Sequence, residues 1–186
     1  MKTLTLLFAL LFAAMLKLHA EGGSVRLDVV QNVKTNGGGA NGTTTQSRIL
    51  VITLNNTSKV QMDYLTVKYW FFDRDMKSGN LGVNKAGEVK ASLVPVGKQV
   101  IATDIVTSTY TAQHNEASNN NNVRGANGQT INVPSIKRIE ASGRKIVAHA
   151  VRVFDGEKMI AEYYSEYSLK QKMGDPNAPH KTTPAK

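Results

Sequence analysis

The sequence contains no cysteine, and this absence limits what the protein can be. Without a thiol the chain forms no disulfide, and it cannot carry the thioether lipid of a lipoprotein. Its fold must therefore be stable without covalent cross-links. A chain of 186 residues is long enough to bury the apolar core of one domain.

Sequence motifs of catalysis are also missing. There is no G-x-S-x-G elbow for a nucleophilic serine, and the glycine run 37–39 lacks the helix and Lys-Ser pair of a phosphate loop. Ser142 and Lys145 match S-x-x-K, but Gly143 between them indicates a turn between strands. We therefore predict a protein that is not an enzyme and binds no cofactor, with a hydrolase of unrecognised site left as an alternative.

Metal ligands are sparse after the first twenty residues. His114, His149 and His180 are widely separated, and we expect His149 to lie on a strand with a satisfied hydrogen bond, a ligand or pH-sensing role being the alternative. Asp73 and Asp75 could contribute to a loop calcium site, although a turn at the end of a strand is the favoured interpretation. We predict no bound metal.

The N-terminus has the layout of a secretory signal peptide. Lys2 precedes an apolar run over 4–15, which is shorter than the roughly 20 residues of a bilayer span, and the polar stretch "EGGS" follows Ala20. We predict a signal peptide over 1–20, with an uncleaved anchor as the alternative, and no transmembrane segment after its removal. The mature protein would reside in the periplasm, at the outer membrane or outside the cell.

The charge of the mature chain is basic but dispersed. Removing Lys2 and Lys17 from the 23 basic residues leaves 21 against 14 acidic ones, a net charge of +7. The lysines occur singly rather than in a cluster, so we interpret the excess as solvation and predict no nucleic-acid partner.

Residues 21–169 read as β-structure throughout. Apolar residues alternate with polar ones, or form short β-branched runs, in the segments 24–33, 47–56, 63–72, 89–96, 98–110 and 144–169. Pro95 places its segment at a sheet edge or ends it. The sequence Asp155-Gly156 predicts a hairpin with a type I′ turn.

Two loops and a tail interrupt this pattern. The segment 36–45 is rich in glycine, and the segment 111–130 holds asparagines without an apolar pattern, so the latter is either disordered or a functional surface loop. The lysine- and proline-rich segment 170–186 is predicted to be a disordered tail. About seven strands without long helices predict an antiparallel β-sandwich.

The stretch "YLTVKYWFF" (64–72) is the most informative strand. Its alternation places Leu65, Val67, Tyr69 and Phe71 on one apolar face, which must be core. Trp70 and Phe72 end the opposite face, together with Tyr64, Thr66 and Lys68. The two rings are either covered by the connection 73–88 or exposed as part of an interface.

The segment "RILVITLNNTSKVQMDYLTVKYWFFDRD" (48–75) resembles bacterial immunoglobulin-like domains of the FxLYD kind. Over 24–169 the layout also resembles immunoglobulin-like proteins encoded beside type IV pilus components in gut bacteria. The resemblance implies an immunoglobulin-like sandwich at the cell surface or in the periplasm, without catalysis. Immunoglobulin domains pair a core tryptophan with a disulfide, whereas this chain has a tryptophan and no cysteine, so no functional residues are carried over.

These features together predict an exported interaction module, an accessory or structural component of a type IV pilus-like or cell-surface assembly. Its partner would be a protein of the cell envelope or pilus, and the oligomeric state is left open. The alternative is a carbohydrate- or mucin-binding module that contacts host glycans by ring stacking. The candidate binding residues are Trp70, Phe72, Asn119, Asn120, Asn121 and Arg124.

Overall fold

The computed structural model describes residues 24–37, 42–124 and 126–174, and these form an all-β protein. The predicted signal peptide 1–20 lies outside the described residues, as does 175–186 of the predicted tail. The side chains of 118–123 and 130–135 lie outside them as well. Within the described ranges, no helix is long and apolar enough to cross a bilayer.

Ten strands and one short helix follow one another along the described chain. They are β1 (Val25–Gly37), β2 (Thr43–Asn56), β3 (Met62–Asp75), β4 (Leu81–Leu93), β5 (Lys98–Ala102), β6 (Val106–Thr111), β7 (His114–Arg124), β8 (Thr130–Ile139), β9 (Ser142–Asp155), β10 (Lys158–Tyr164) and α1 (Tyr167–Met173).

Eight of the strands form a continuous antiparallel path that folds into two layers. In the first sheet β1 pairs with one edge of β2, and β5 and β6 follow one another along its other edge. The second sheet has the order β10-β9-β3-β4. The layers are joined where Tyr110 and Thr111 pair with Gly143 and Ser142. The predicted antiparallel sandwich of about seven strands is confirmed. Its eight strands fill seven places in the two sheets, because β5 and β6 follow one another along the same edge of β2.

The core lies between the two layers. All four residues predicted for the inner face of β3 are buried, and Leu65, Val67 and Phe71 are 0% exposed. They belong to one apolar cluster with Leu50 and Ile52 of β2. The apolar face of each strand therefore packs against the apolar face of the other sheet. Full burial of a side chain of this size contributes about 2 kcal/mol.

The segment predicted as one strand over 98–110 is broken at Thr103. The Leu50 amide donates a hydrogen bond to Thr103 Oγ1 (3.0 Å), and the Thr103 amide donates one to the Leu50 carbonyl (3.0 Å). The threonine side chain thus occupies the place of a backbone acceptor in the ladder. Composition alone does not predict this break in the strand, because threonine is also common within strands.

The asparagine-rich insert is neither structureless nor a simple loop. Its first half forms β7, which pairs with β8 from His114 opposite Ile139 to Arg124 opposite Thr130. We call β7 and β8 the ribbon. The ribbon pairs with no other strand in the described part of the chain. Asparagine is depleted in strands, so the pairing depends on the partner strand rather than on local propensity.

The predicted β9–β10 hairpin is confirmed, but its turn differs from the prediction. Asp155 pairs with Lys158, so the two central residues are Gly156 and Glu157. Only Gly156 has a positive φ (60°), which fits a type II′ turn rather than type I′.

The chain after β10 forms helix α1 where the sequence predicted strand up to 169 and a tail from 170. Leu169 is fully buried, and Met173 packs beside it. The helix has only seven residues and no side-chain cap at Glu166. Such a helix is unstable alone and is held by tertiary packing, which explains why no local pattern predicts it.

Candidate binding surface

The outer face of the second sheet carries the predicted ring pair, and helix α1 covers part of it. Phe72 is 7% exposed and belongs to a second apolar cluster with Ala148, Ala150 and Leu169, against which Trp70 packs half-buried. The sequence left open whether the connection 73–88 covers these rings. That segment ends β3, turns and continues as β4 in the plane of the sheet, and its Leu81 packs against the same cluster; α1 adds a cover that the sequence did not predict.

Polar contacts around Arg152 hold α1 on the sheet. Arg152 is buried, and its guanidinium donates one hydrogen bond to Tyr164 Oη (2.8 Å) and another to the Gly174 carbonyl just after the helix (2.5 Å). The Tyr164 hydroxyl donates to Glu162 (2.9 Å), which also pairs with Lys170 of the helix. The helix is thus fixed by one buried leucine and a chain of charge-assisted hydrogen bonds.

Beside Trp70, on the same face of the sheet, lies an open groove. It consists of two depressions of about 370 and 280 Å³ that share Lys68 and Glu88. Trp70 borders the smaller depression and Phe154 the larger, so each has a ring at its wall. We call this the groove; its remaining lining consists of Thr66, Ala86, Gly87, Lys90, Gly156 and Glu157.

The charged groups of the groove contact one another. Glu88 lies 3.0 Å from the Lys90 ammonium and 3.9 Å from that of Lys68. Lys90 donates to Thr66 Oγ1 (2.8 Å), and Lys68 lies 5.3 Å from the centre of the Phe154 ring. All three charged side chains remain partly exposed, so they can exchange these contacts for hydrogen bonds to a polar ligand.

The sequence found only part of this surface. The alternation in 64–72 already placed Thr66, Lys68 and Trp70 on one face. Glu88 and Phe154 join them because β4 and β9 flank β3, with Lys68 opposite Glu88 and Thr66 opposite Phe154. That register is set by long-range strand pairing, which no local pattern showed.

The other four predicted binding residues lie on β7 of the ribbon, whereas Trp70 and Phe72 lie on β3. Arg124 is exposed at the end of β7. Asn119, Asn120 and Asn121 fall on β7, but their side chains lie outside the described residues. In the described part of the chain the ribbon pairs with no strand of the second sheet, so no backbone pairing joins its residues to Trp70 and Phe72.

Asp73 and Asp75 are engaged in protein contacts. The buried Asp73 carboxylate accepts hydrogen bonds from Arg144 Nε (2.8 Å) and Asn84 Nδ2 (2.8 Å). Asp75 Oδ1 accepts from the amides of Lys77 (3.0 Å) and Ser78 (2.7 Å). The hydrogen bond from Arg144 lowers the pKa of Asp73 most strongly. The contacts of Asp75 are those of the turn that follows β3, whereas Asp73 lies within β3 and is bonded to side chains of β9 and β4.

His149 is buried in the sandwich, contrary to the expectation of a satisfied hydrogen bond. Its ring stacks on Tyr163 with centroids 5.6 Å apart, and neither ring nitrogen has a hydrogen-bond partner among the described residues. Burial and the nearby charge of Arg48 lower its pKa to about 4. The ring is therefore neutral at physiological pH.

Comparison with known proteins yields little. No family model matches the chain, and no curated protein matches its sequence. One solved structure, described as the X-ray structure of Northeast Structural Genomics Consortium target SoR45, aligns with 12% identity and a TM-score of 0.30. The alignment covers 63% of this chain and 86% of that one.

Proposed function

We propose that this protein is an exported, non-enzymatic interaction module with an immunoglobulin-like fold, and an accessory component of a pilus-like or other cell-surface assembly. The observation that carries the proposal is the ribbon. Two paired strands, His114–Arg124 and Thr130–Ile139, form a sheet of their own and leave their outer edges unpaired within the described chain.

An isolated two-stranded ribbon is marginally stable in water, because it buries little apolar surface. Its free backbone amides and carbonyls can pair with an added strand of another protein. Ile136 on β8 is 74% exposed, and Arg124 and Arg138 are exposed as well, so the ribbon offers apolar and basic contacts beside its edges. These properties suit a protein partner in an assembly.

The strand order supports the immunoglobulin-like part of the proposal. In immunoglobulin domains, strands A, B and E lie in one sheet and strands G, F and C in the other, with C′ added in variable domains. Here the first sheet has β1, β2 and β5–β6 in the places of A, B and E. The second has β10, β9, β3 and β4 in the places of G, F, C and C′.

The test replaces residues 115–138 by a short glycine-serine linker. Both proteins serve as bait in an envelope extract, with the retained proteins quantified by mass spectrometry. We expect pilus or surface-assembly proteins to be enriched by the intact protein and lost from the ribbon-free variant. Circular dichroism and thermal unfolding must show that its sandwich remains folded. Equal recovery with both baits, or recovery of abundant contaminants alone, would contradict the proposal.

The groove favours a second candidate function, the binding of a carbohydrate. A half-buried Trp70 next to Lys68 and Glu88 offers a ring for stacking and groups for hydrogen bonds to sugar hydroxyls. Trp70 is the only tryptophan, so its fluorescence reports this site directly. Titration with mucin glycans should change the emission, and Lys68→Ala should weaken the response. An unchanged signal across a glycan panel excludes this candidate.

A further inference from the structure

Strand β4 forms one edge of the second sheet. It runs from Leu81 to Leu93 and pairs on one side with β3, and no strand of the described chain pairs with its other side. The strand contains no proline, and its own bulge lies near its start, at Asn84. Proteins commonly block an edge of this length, because its free amides and carbonyls can pair with a strand of another chain.

Two contacts with the first sheet mark the ends of the free part of this edge. The Ser92 amide donates a hydrogen bond to Gln99 Oε1 of β5 (3.2 Å), and the Lys85 ammonium donates one to Asp104 (2.9 Å). Between these contacts, no described strand or loop is hydrogen-bonded to the outward backbone groups of residues 86–90. We call the segment 86–90 the open edge.

The alternation of the ladder identifies the groups that the open edge presents. The Ser92 amide points away from β3, so the backbone groups of Lys90 and Glu88, two and four residues earlier, point the same way. Their side chains share a face of the sheet with Thr66 and Lys68, which they pair with on β3. The side chains of Glu88 and Lys90 are 45% and 67% exposed. Consecutive pairing positions of the open edge thus carry opposite charges.

This order of charges is self-complementary. If two copies pair antiparallel about a two-fold axis at Val89, Glu88 of each copy lies opposite Lys90 of the other. Opposite charges directly across two strands stabilise the pairing, and like charges destabilise it. An axis at Glu88 or at Lys90 places like charges opposite one another, and an axis at Gly87 brings Lys90 against the bulge at Asn84. The charges therefore favour one register.

The other charges on the face of the second sheet do not oppose this register. Lys68 lies 3.9 Å from Glu88 and one strand further from the edge. Asp155 and Glu157 are exposed in the turn that follows β9, and β9 flanks β3 on the side away from β4. The open edge itself carries one acidic and one basic residue.

The first sheet adds no like charge at the centre of the open edge. Between the residues that contact Ser92 and Lys85, its chain runs through 100–103, which are uncharged, and Val100 is 57% exposed there. Lys85 is paired with Asp104. Lys98 is exposed at the Ser92 end, which the axis at Val89 places near the Lys85–Asp104 pair of the other copy.

We propose that the open edge joins two copies of this chain into a dimer, with their β4 strands antiparallel and Glu88 of each copy opposite Lys90 of the other. The second sheet then continues without a break from β10 of one copy to β10 of the other. Because strands of one sheet share its faces, the two grooves open on the same face of the dimer. The dimer depends neither on the ribbon nor on a ligand in the groove.

Sedimentation velocity over a concentration series, with the protein purified after export, measures the dimer directly. We expect Glu88→Lys and Lys90→Glu each to weaken dimerisation roughly tenfold or more, because each variant places like charges opposite one another twice across the axis. The double variant Glu88→Lys with Lys90→Glu exchanges the two charges and should dimerise like the unchanged protein. Circular dichroism checks that every variant is folded.

Mixing the two single variants tests the complementarity itself. One variant has lysine at both positions and the other has glutamate at both, so an equimolar mixture should form heterodimers although neither variant dimerises well alone. Lys158→Glu is the matched control, because this exposed lysine lies on β10, away from the open edge, and its reversal should leave the dimer unchanged.

Cysteine cross-linking tests the register, and the sequence contains no cysteine that would interfere. Directly opposite residues of a hydrogen-bonded pair have Cα atoms about 5.5 Å apart, within the range of a disulfide. Mild oxidation should therefore link Glu88→Cys to Lys90→Cys faster than either variant links to itself.

Three results would each overturn the proposal. The unchanged protein could sediment as a monomer throughout the series. The charge reversals could leave a dimer intact, as association through the ribbon would. Each cysteine variant could also link to itself as fast as to the other.

Discussion

Arg144 on β9 donates hydrogen bonds through Nε and Nη2 to the two carboxylate oxygens of Asp73 on β3, across 71 residues of sequence. The carboxylate is 2% exposed while the guanidinium reaches solvent on its other side. Asn84 of β4 completes the set by donating to Asp73 Oδ2. One buried charge thus ties three adjacent strands at one end of the second sheet.

Replacing Arg144 by methionine should destabilise the protein at neutral pH. The change leaves the Asp73 carboxylate buried without its cation, which costs roughly 2 kcal/mol in the free energy of unfolding. The folded-state pKa of Asp73 lies below 3.8, so its stabilising effect is present above that value and is lost as the pH falls through the folded pKa. In urea unfolding, the difference from the unchanged protein should therefore be full at neutral pH and should shrink as the pH falls below 3.8 through the folded-state pKa of Asp73.

The matched control is Lys85→Met, which breaks an ion pair with the exposed Asp104. An exposed pair contributes little, so this variant should unfold like the unchanged protein. Equal destabilisation by both variants would show that the burial of Asp73 is not the cause.

His149 should make the protein sensitive to mild acid. The pKa of this histidine is about 4 in the folded protein, against 6.5 in the unfolded chain, so the unfolded state binds more protons between these values. Stability should fall by about 2–3 kcal/mol as the pH is lowered from 6.5 to 4. Arg48 faces the ring from β2 and adds to the cost of protonation, and Tyr163 stacks on it from β10.

His149→Phe should remove most of this loss, because phenylalanine keeps the stack on Tyr163 and does not titrate. Chemical unfolding measured at steps from pH 7 to pH 4 gives the change in the free energy of unfolding with pH. His114→Gln is the control, since His114 has its pKa raised by the Ala112 carbonyl and Glu116 and should contribute the opposite slope. A steep loss that survives in His149→Phe would assign the acid sensitivity to other groups.

Leu169→Ala should release helix α1 from the sheet. Leu169 is the buried residue of the helix, and its truncation should cost about 2–3 kcal/mol. Since Trp70 packs against the same cluster, its fluorescence should shift to longer wavelength in the variant. Tyr167→Ala changes a residue of the same helix that is 75% exposed, and it should leave both stability and emission unchanged.

Tyr64→Gly should stabilise the isolated protein. Glycine adopts φ 61° without the steric cost that tyrosine incurs, so the free energy of unfolding should rise by about 1 kcal/mol. Tyr64→Ala keeps a Cβ and should give no such gain. Thermal unfolding of the three proteins measures this, and a gain in the alanine variant would show that the ring rather than the backbone is responsible.

Local alternation predicted the parts of the fold that depend on local geometry. Side chains on a strand alternate between faces whatever its neighbours are, so the inner face of β3 and the β9–β10 hairpin were visible in sequence. The groove was only half visible, because Lys68 and Trp70 share a strand whereas Glu88 and Phe154 join them through strand register.

The sequence by itself determined an all-β chain, the positions of most strands and the residues that fill the space between the sheets. The tertiary structure alone decided that α1 covers Phe72 and that the asparagine-rich segment pairs as a ribbon. It also decided that His149 is buried with no hydrogen-bond partner for its ring nitrogens among the described residues. Each of these features depends on contacts between residues far apart in sequence. Those contacts stabilise the fold by more than the weak local preferences for loop, tail or solvated surface oppose it.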